Sequence, residues 1–140
     1  MSGFKIIVCV AMSLFLLAVP ERARLRNHPS KSAETSDPGY VLALSAANHF
    51  LHAWQTADLE NGTMLLSNGI RRSQNVDSLE EFFSGGMDRA FEIARGRGHH
   101  GRYSFSVTLV TSHGSKITRK SSEIILVETG KNDWVVDKLP

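Results

Sequence analysis

The hydrophobic and polar positions of this chain change period along its length. Over residues 41–58, Ala43, Ala47, Phe50, Leu51 and Trp54 fall on one side of a helical wheel, with Leu44 at its edge. Ser45, Asn48, His49, His52, Gln55 and Thr56 fall on the other. That pattern predicts a long helix with one buried face, close enough to a sheet to need the small Ala43 and Ala47. Asp58 is placed to cap a second, short helix over residues 59–66, because its carboxylate can accept from orphan backbone N–H groups. Asn68-Gly69 then reads as a stop. Asp77 with Glu80 three residues on resembles a capping box, opening a third helix over residues 78–83 buried through Leu79, Phe82 and Phe83.

Past Gly85-Gly86 the period falls to two. Residues 90–95 form a candidate strand with Phe91 and Ile93 on one face, and residues 96–101 read as a glycine-rich loop. Tyr103, Phe105, Val107 and Leu109 alternate with Ser104, Ser106 and Thr108, the clearest strand pattern in the chain. Residues 116–127 make a long strand with a bulge expected at Ser121-Ser122. Residues 134–139 make the last strand. The turns at His113-Gly114-Ser115 and at 130–133 are short, so successive strands pair antiparallel. One face of that sheet is apolar and must be covered, and the long helix is the available cover.

A helix carrying Phe50-Leu51-His52-Ala53-Trp54 and then Asp58, short helices, and a sheet closing on Trp134-Val135-Val136-Asp137 resembles the NTF2-like (cystatin-like α+β) superfamily over about residues 40–140. The resemblance is to small exported bacterial members. It implies an α+β fold in which N-terminal helices pack on a curved, mainly antiparallel sheet, forming a cone with a pocket at its open end. The superfamily includes isomerases, dehydratases, polyketide cyclases and transport factors, so the fold alone settles no function. Isomerase-like members place a tyrosine and carboxylates in the pocket, whereas here the buried helix face carries only Ala, Phe, Leu and Trp up to Asp58.

The 140 residues suit one domain, and a net charge of +2 excludes nothing by itself. Residues 6–19 are apolar apart from Ser13, follow Lys5 and end at Pro20. The run is shorter than the roughly 20 residues of a membrane span and matches a signal-peptide core. Arg22, Arg24 and Arg26 follow it directly and favour retention on the cytoplasmic side, so a cleaved signal and an uncleaved anchor both stay open. The expected organisation is residues 1–19 as signal peptide or anchor, 20–38 as a proline- and serine-rich linker, and 39–140 as the domain. The expected location is exported, periplasmic or secreted, or held at the membrane by residues 4–19. Cys9 is the sole cysteine, so residues 39–140 hold no thiol for a disulfide, a nucleophile or a zinc site.

Candidate chemistry is sparse. His49 and His52 are three apart on the polar helix face, and His99-His100 stand in the loop with Arg95, Arg97 and Arg102. Both sets read as solvated, and no metal or cofactor is expected. Arg95-Gly96-Arg97-Gly98 lacks the interleaved aromatics of a nucleic-acid site, so no nucleic acid is expected. Lys116, Arg119 and Lys120 read as charges that guard a strand edge. The expected function is binding of a small apolar ligand or a protein partner in the pocket, lined by Trp54, Phe91, Tyr103, Phe105 and Trp134. The alternative is a small isomerase-, dehydratase- or cyclase-type enzyme with Asp58 and Tyr103 as acid–base pair. Asp58 can equally be a plain helix cap. The expected outer face of Ser104, Ser106 and Thr108 suits a monomer or a weak homodimer.

Overall fold

The computed structural model describes residues 37–85 and 88–140, all within one compact unit spanning residues 33–140. The apolar run at 6–19 and nearly all of the expected linker lie outside the described residues.

Helix α1 (Pro38–Gln55) begins three residues earlier than its apolar pattern suggests. The Asp37 side chain accepts from the Gly39 N–H at 3.0 Å, and Pro38 starts the helix where its missing N–H costs nothing. Its buried side is Ala43, Ala47, Phe50, Leu51, Ala53 and Trp54. At the other end Asp58 N–H donates to the Ala53 carbonyl at 2.8 Å and Ala57 N–H to that of Trp54 at 3.3 Å. This double closure needs a left-handed residue, and Ala57 supplies it at φ 57° despite its Cβ.

Three short helices follow. Helix α2 (Leu59–Met64) is capped by Asp58, as its sequence implies. Its Gly62 is obligatory for packing: a Cβ there would sit 2.1 Å from the Phe83 ring. Helix α3 (Asn68–Ser73) occupies the segment read as a stop, started by Ser67 Oγ accepting from Ile70 N–H at 3.2 Å. Helix α4 (Val76–Phe83) takes Asn75 rather than Asp77 as its cap, with Asn75 Oδ1 accepting from Ser78 N–H at 2.6 Å.

The strands are β1 (Asp88–Ile93), β2 (Arg97–His99), β3 (Arg102–His113), β4 (Lys116–Gly130) and β5 (Asp133–Lys138). They form one antiparallel sheet in the order β1-β3-β4-β5, with β2 also on β3. Tyr103, Phe105, Val107 and Leu109 face the helices with Ile124, Leu126, Trp134 and Val136, all buried. The expected inner face is therefore the core, sealed by Phe50, Leu51 and Phe83.

The expected curved cone is corrected. The fold is α+β, but its sheet is open and uncurled. The physical reason lies in the central ladder. β3 and β4 pair from Arg102↔Val127 to His113↔Lys116 with no slip, so the bulge expected at Ser121-Ser122 is absent. Curvature needs bulges, and the register shifts that exist lie only between β4 and β5, at Ile125/Leu126 and Glu128/Gly130.

Arg89 ties the helical layer to the sheet. Its Nη1 donates to the carbonyls of Trp54 at 2.7 Å and Phe83 at 3.0 Å, and its Nη2 donates to that of Ser84. These are the last carbonyls of α1 and α4, where a cation also meets the negative helix ends. The guanidinium lies 4.8 Å from the centre of the Trp54 ring. Burial pushes its pKa below the ordinary arginine value, and it stays charged at any ordinary pH.

Two stability outcomes follow. Arg89→Met strands three carbonyls and is expected to cost about 2–4 kcal/mol in urea unfolding, with Arg89→Lys recovering less than half. Ala57→Gly relieves the left-handed alanine and is expected to gain about 0.5–1 kcal/mol, read as a raised thermal midpoint.

Candidate functional site

The expected acid–base pair does not assemble. Tyr103 stands at the start of β3, and its hydroxyl donates to Asp37 Oδ2 beside the N-terminus of α1. Asp58 stands beyond the C-terminus of α1, an 18-residue helix about 27 Å long. Asp58 Oδ1 accepts from Asn61 N–H at 3.0 Å and its Oδ2 from Asn61 Nδ2 at 2.6 Å. The Asn61 side-chain bond, then the backbone bond, hold its carboxyl below the usual carboxylate range. A pocket acid needs the opposite shift.

The five residues expected to line a pocket fill the layer between helices and sheet. Trp54, Tyr103, Phe105 and Trp134 are each 5% exposed or less, and Phe91 packs against the core's margin. Tyr103 meets Tyr40 edge-on at 5.6 Å and Trp134 at 5.5 Å between ring centres. Tyr40 Oη accepts from the Gly96 N–H at 3.2 Å. This end of the molecule is a filled aromatic plug, and no curved pocket opens there.

Hollows do exist at the surface. One of about 410 Å³ lies between α1 and α2, lined by His49, His52, Thr56, Asp58, Asn61 and Met64. A second, of about 230 Å³, lies on the helix side of the β3–β4 hairpin, between Trp54, Phe82, Leu109, Thr111, Thr118 and Lys120. His49 and His52 are exposed, and among the described residues no three His, Cys, Asp or Glu side chains group as metal ligands. His99 and His100 face each other with their Nδ1 atoms 2.7 Å apart at the β2–β3 turn, where Arg102 pairs with Asp137 at 3.3 Å.

The feature that the sequence concealed is an open sheet edge. β4 runs from residue 116 to 130, but β5 pairs only with residues 125–130. Among the described residues no strand lies outside 116–124, and residues 116–121 are exposed on both faces. The other edges are handled differently. The outer side of β5 is taken by a parallel bridge, with Ser67 N–H donating to the Val136 carbonyl and Val136 N–H to that of Leu65, both at 2.8 Å. Edge strand β1 is short, and its Arg89 carbonyl already accepts from Gln55 Nε2 at 2.9 Å. The signal for the open edge was the difference between a long strand and a short final one.

No protein-family model matches the chain, and no curated protein matches it. Its fold is similar to the solution structure of a SEC-C motif containing protein from Rhodopseudomonas palustris, at 9% identity and a TM-score of 0.53, over 63% of this chain and 69% of that one. It is also similar to the crystal structure of a SEC-C motif containing protein from Psychrobacter arcticus, at 10% identity and a TM-score of 0.52, over 66% of this chain but only 58% of that one. Such identities speak for fold alone.

These matches correct the expected NTF2-like resemblance, and with it the ligand-binding cone and the NTF2-like enzyme. The expected signal peptide and the exported, periplasmic or secreted location find no support in them. No helix among the described residues is long and apolar enough to cross a membrane, and residues 4–19, the expected signal peptide or anchor, lie outside the described residues.

The Tyr103–Asp37 bond has a pH signature. The bond to the Asp37 carboxylate, then burial, then the Asp37 charge push the Tyr103 pKa from 10.0 up to about 12. The folded state thus favours the neutral phenol. Its stabilisation is complete below pH 10 and is lost as pH rises towards about 12. Tyr103→Phe is expected to cost about 1–2 kcal/mol at neutral pH, with the gap to the parent closing across that window in urea melts at stepped pH.

Proposed function

We propose that this domain is a peptide-binding module that accepts an extended segment as an added strand along residues 116–124 of β4. The observation that carries the reading is the unpaired stretch of that strand, next to an edge on β5 that its own chain has covered. An open edge presents a row of backbone donors and acceptors, and an incoming strand satisfies them at the ordinary spacing of about 4.8 Å. The surrounding sheet is anchored by the β3–β4 ladder and the buried core, so the edge is presented on a rigid element.

This reading differs from a pocket binder. The interior is packed, and recognition takes place on the rim of the sheet. It also asks for no catalytic group, in keeping with the separation of Asp58 from Tyr103 by the length of α1.

Hydrogen–deuterium exchange with a panel of short strand-forming peptides, one acidic, one uncharged and one basic, tests it. At least one peptide is expected to slow exchange of amides within 116–124. Protection confined to the α1–α2 cleft, or absent with every peptide, defeats the reading.

A further inference from the structure

Resting on strand addition at β4, we infer that the partner is an acidic segment of another protein, with one bulky apolar side chain that enters the hollow beneath the hairpin. Lys116, Arg119 and Lys120 all stand on the unpaired stretch and are exposed. None of the three has an ion-pair partner among the described residues. The acid that ends this stretch, Glu123, is already engaged: Lys138 Nζ lies 3.0 Å away and Ser104 donates to it. The acids of β1, Asp88 and Glu92, sit opposite Ser112 and Thr108 on the far side of β3. The open edge is therefore a run of unneutralised positive charge on a row of unmade backbone hydrogen bonds.

That charge selects among occupants. A second copy of the chain would pair β4 with itself antiparallel. The centred register then sets Lys120 opposite Lys120, and like charges directly opposite are destabilising. The chain's own leading residues are no better, since Arg22, Arg24, Arg26 and Lys31 outnumber Glu21 and Glu34 there. An acidic strand meets attraction at each of these positions.

The hollow supplies a second, apolar requirement. The register places Lys120 beside Leu109 and Thr118 beside Thr111, with these four side chains on the helix side of the sheet. Phe82 of α4 and Trp54 of α1 close the hollow from above, leaving about 230 Å³. A strand laid outside β4 turns alternate side chains to that side, so a leucine-sized group opposite Thr118–Lys120 points at Phe82. Phosphate polymers share the negative charge but offer neither strand pairing nor this anchor.

The test is fluorescence anisotropy with a labelled glutamate-rich peptide that presents acid on both strand faces and carries one central leucine, run beside exchange protection of 116–124. Arg119→Glu/Lys120→Glu, both on the exposed hairpin, is expected to weaken binding on the order of tenfold. The same double variant should gain affinity for the matching lysine peptide. Raised salt should weaken the parent complex. Thr118→Arg, which fills the hollow from its rim, should erase the preference for central leucine over central serine. Circular dichroism melts confirm that each variant is folded.

Tighter binding of the lysine peptide to the parent protein, equal binding of the acidic peptide to both proteins, or displacement of that peptide by a single-stranded oligonucleotide each overturns the acidic-partner inference. If strand-edge protection persists in those cases, only the partner's chemistry has failed. If no peptide protects the edge, strand addition itself falls.

Discussion

The Arg89 guanidinium is the contact on which the two layers depend. A helix laid on a sheet leaves its last carbonyls pointing into the seam, where water is scarce. Here α1 and α4 end at the same place, and one side chain from β1 satisfies both ends while roofing Trp54. The price of this economy is rigidity of neighbours: Gly85 must stay without a Cβ, which would approach Arg89 Nη2 to 2.1 Å. Because α4 is fixed by Arg89, Phe83 can fill the space above Gly62, and α2 is held in turn.

With that seam closed, the core is complete, and this is why the interior holds no large pocket. Aromatic side chains that in an open cone would line a cavity meet one another instead, as Phe50 meets Phe83 at 5.6 Å and Tyr103 meets Trp134 at 5.5 Å. Exposed backbone without a strand partner lies along the stretch of β4 that outruns β5.

Local patterns were legible in the sequence where they were long. The face of α1 and the alternation of β3 each repeat often enough to outvote single residues, and Tyr103, Phe105, Val107 and Leu109 of β3 were recognisable as one apolar surface. Short elements were not. Asn68-Gly69 looks like a stop, yet Ser67 caps a helix directly across it. β2 is three exposed residues in a glycine-rich stretch, visible only through its pairing with β3. Curvature was expected from the family resemblance alone, and it depends on bulge positions that only ladder register decides. Arg89 gave no periodic signal at all, since its partners lie 35, 6 and 5 residues away. The basic residues of β4 were recognisable as guards of an edge; that the edge is open depends on where β5 ends.

The bond between Tyr103 and Asp37 joins residues 66 apart. Asp37 uses one oxygen to start α1 and the other to hold β3. A helix of this length can form early from its own sequence, but its first turn acquires its full cap only when a strand from the far half of the chain arrives. The opening of α1 is therefore a late event in assembly, and its local unfolding reports whether the sheet has docked rather than whether the helix has formed.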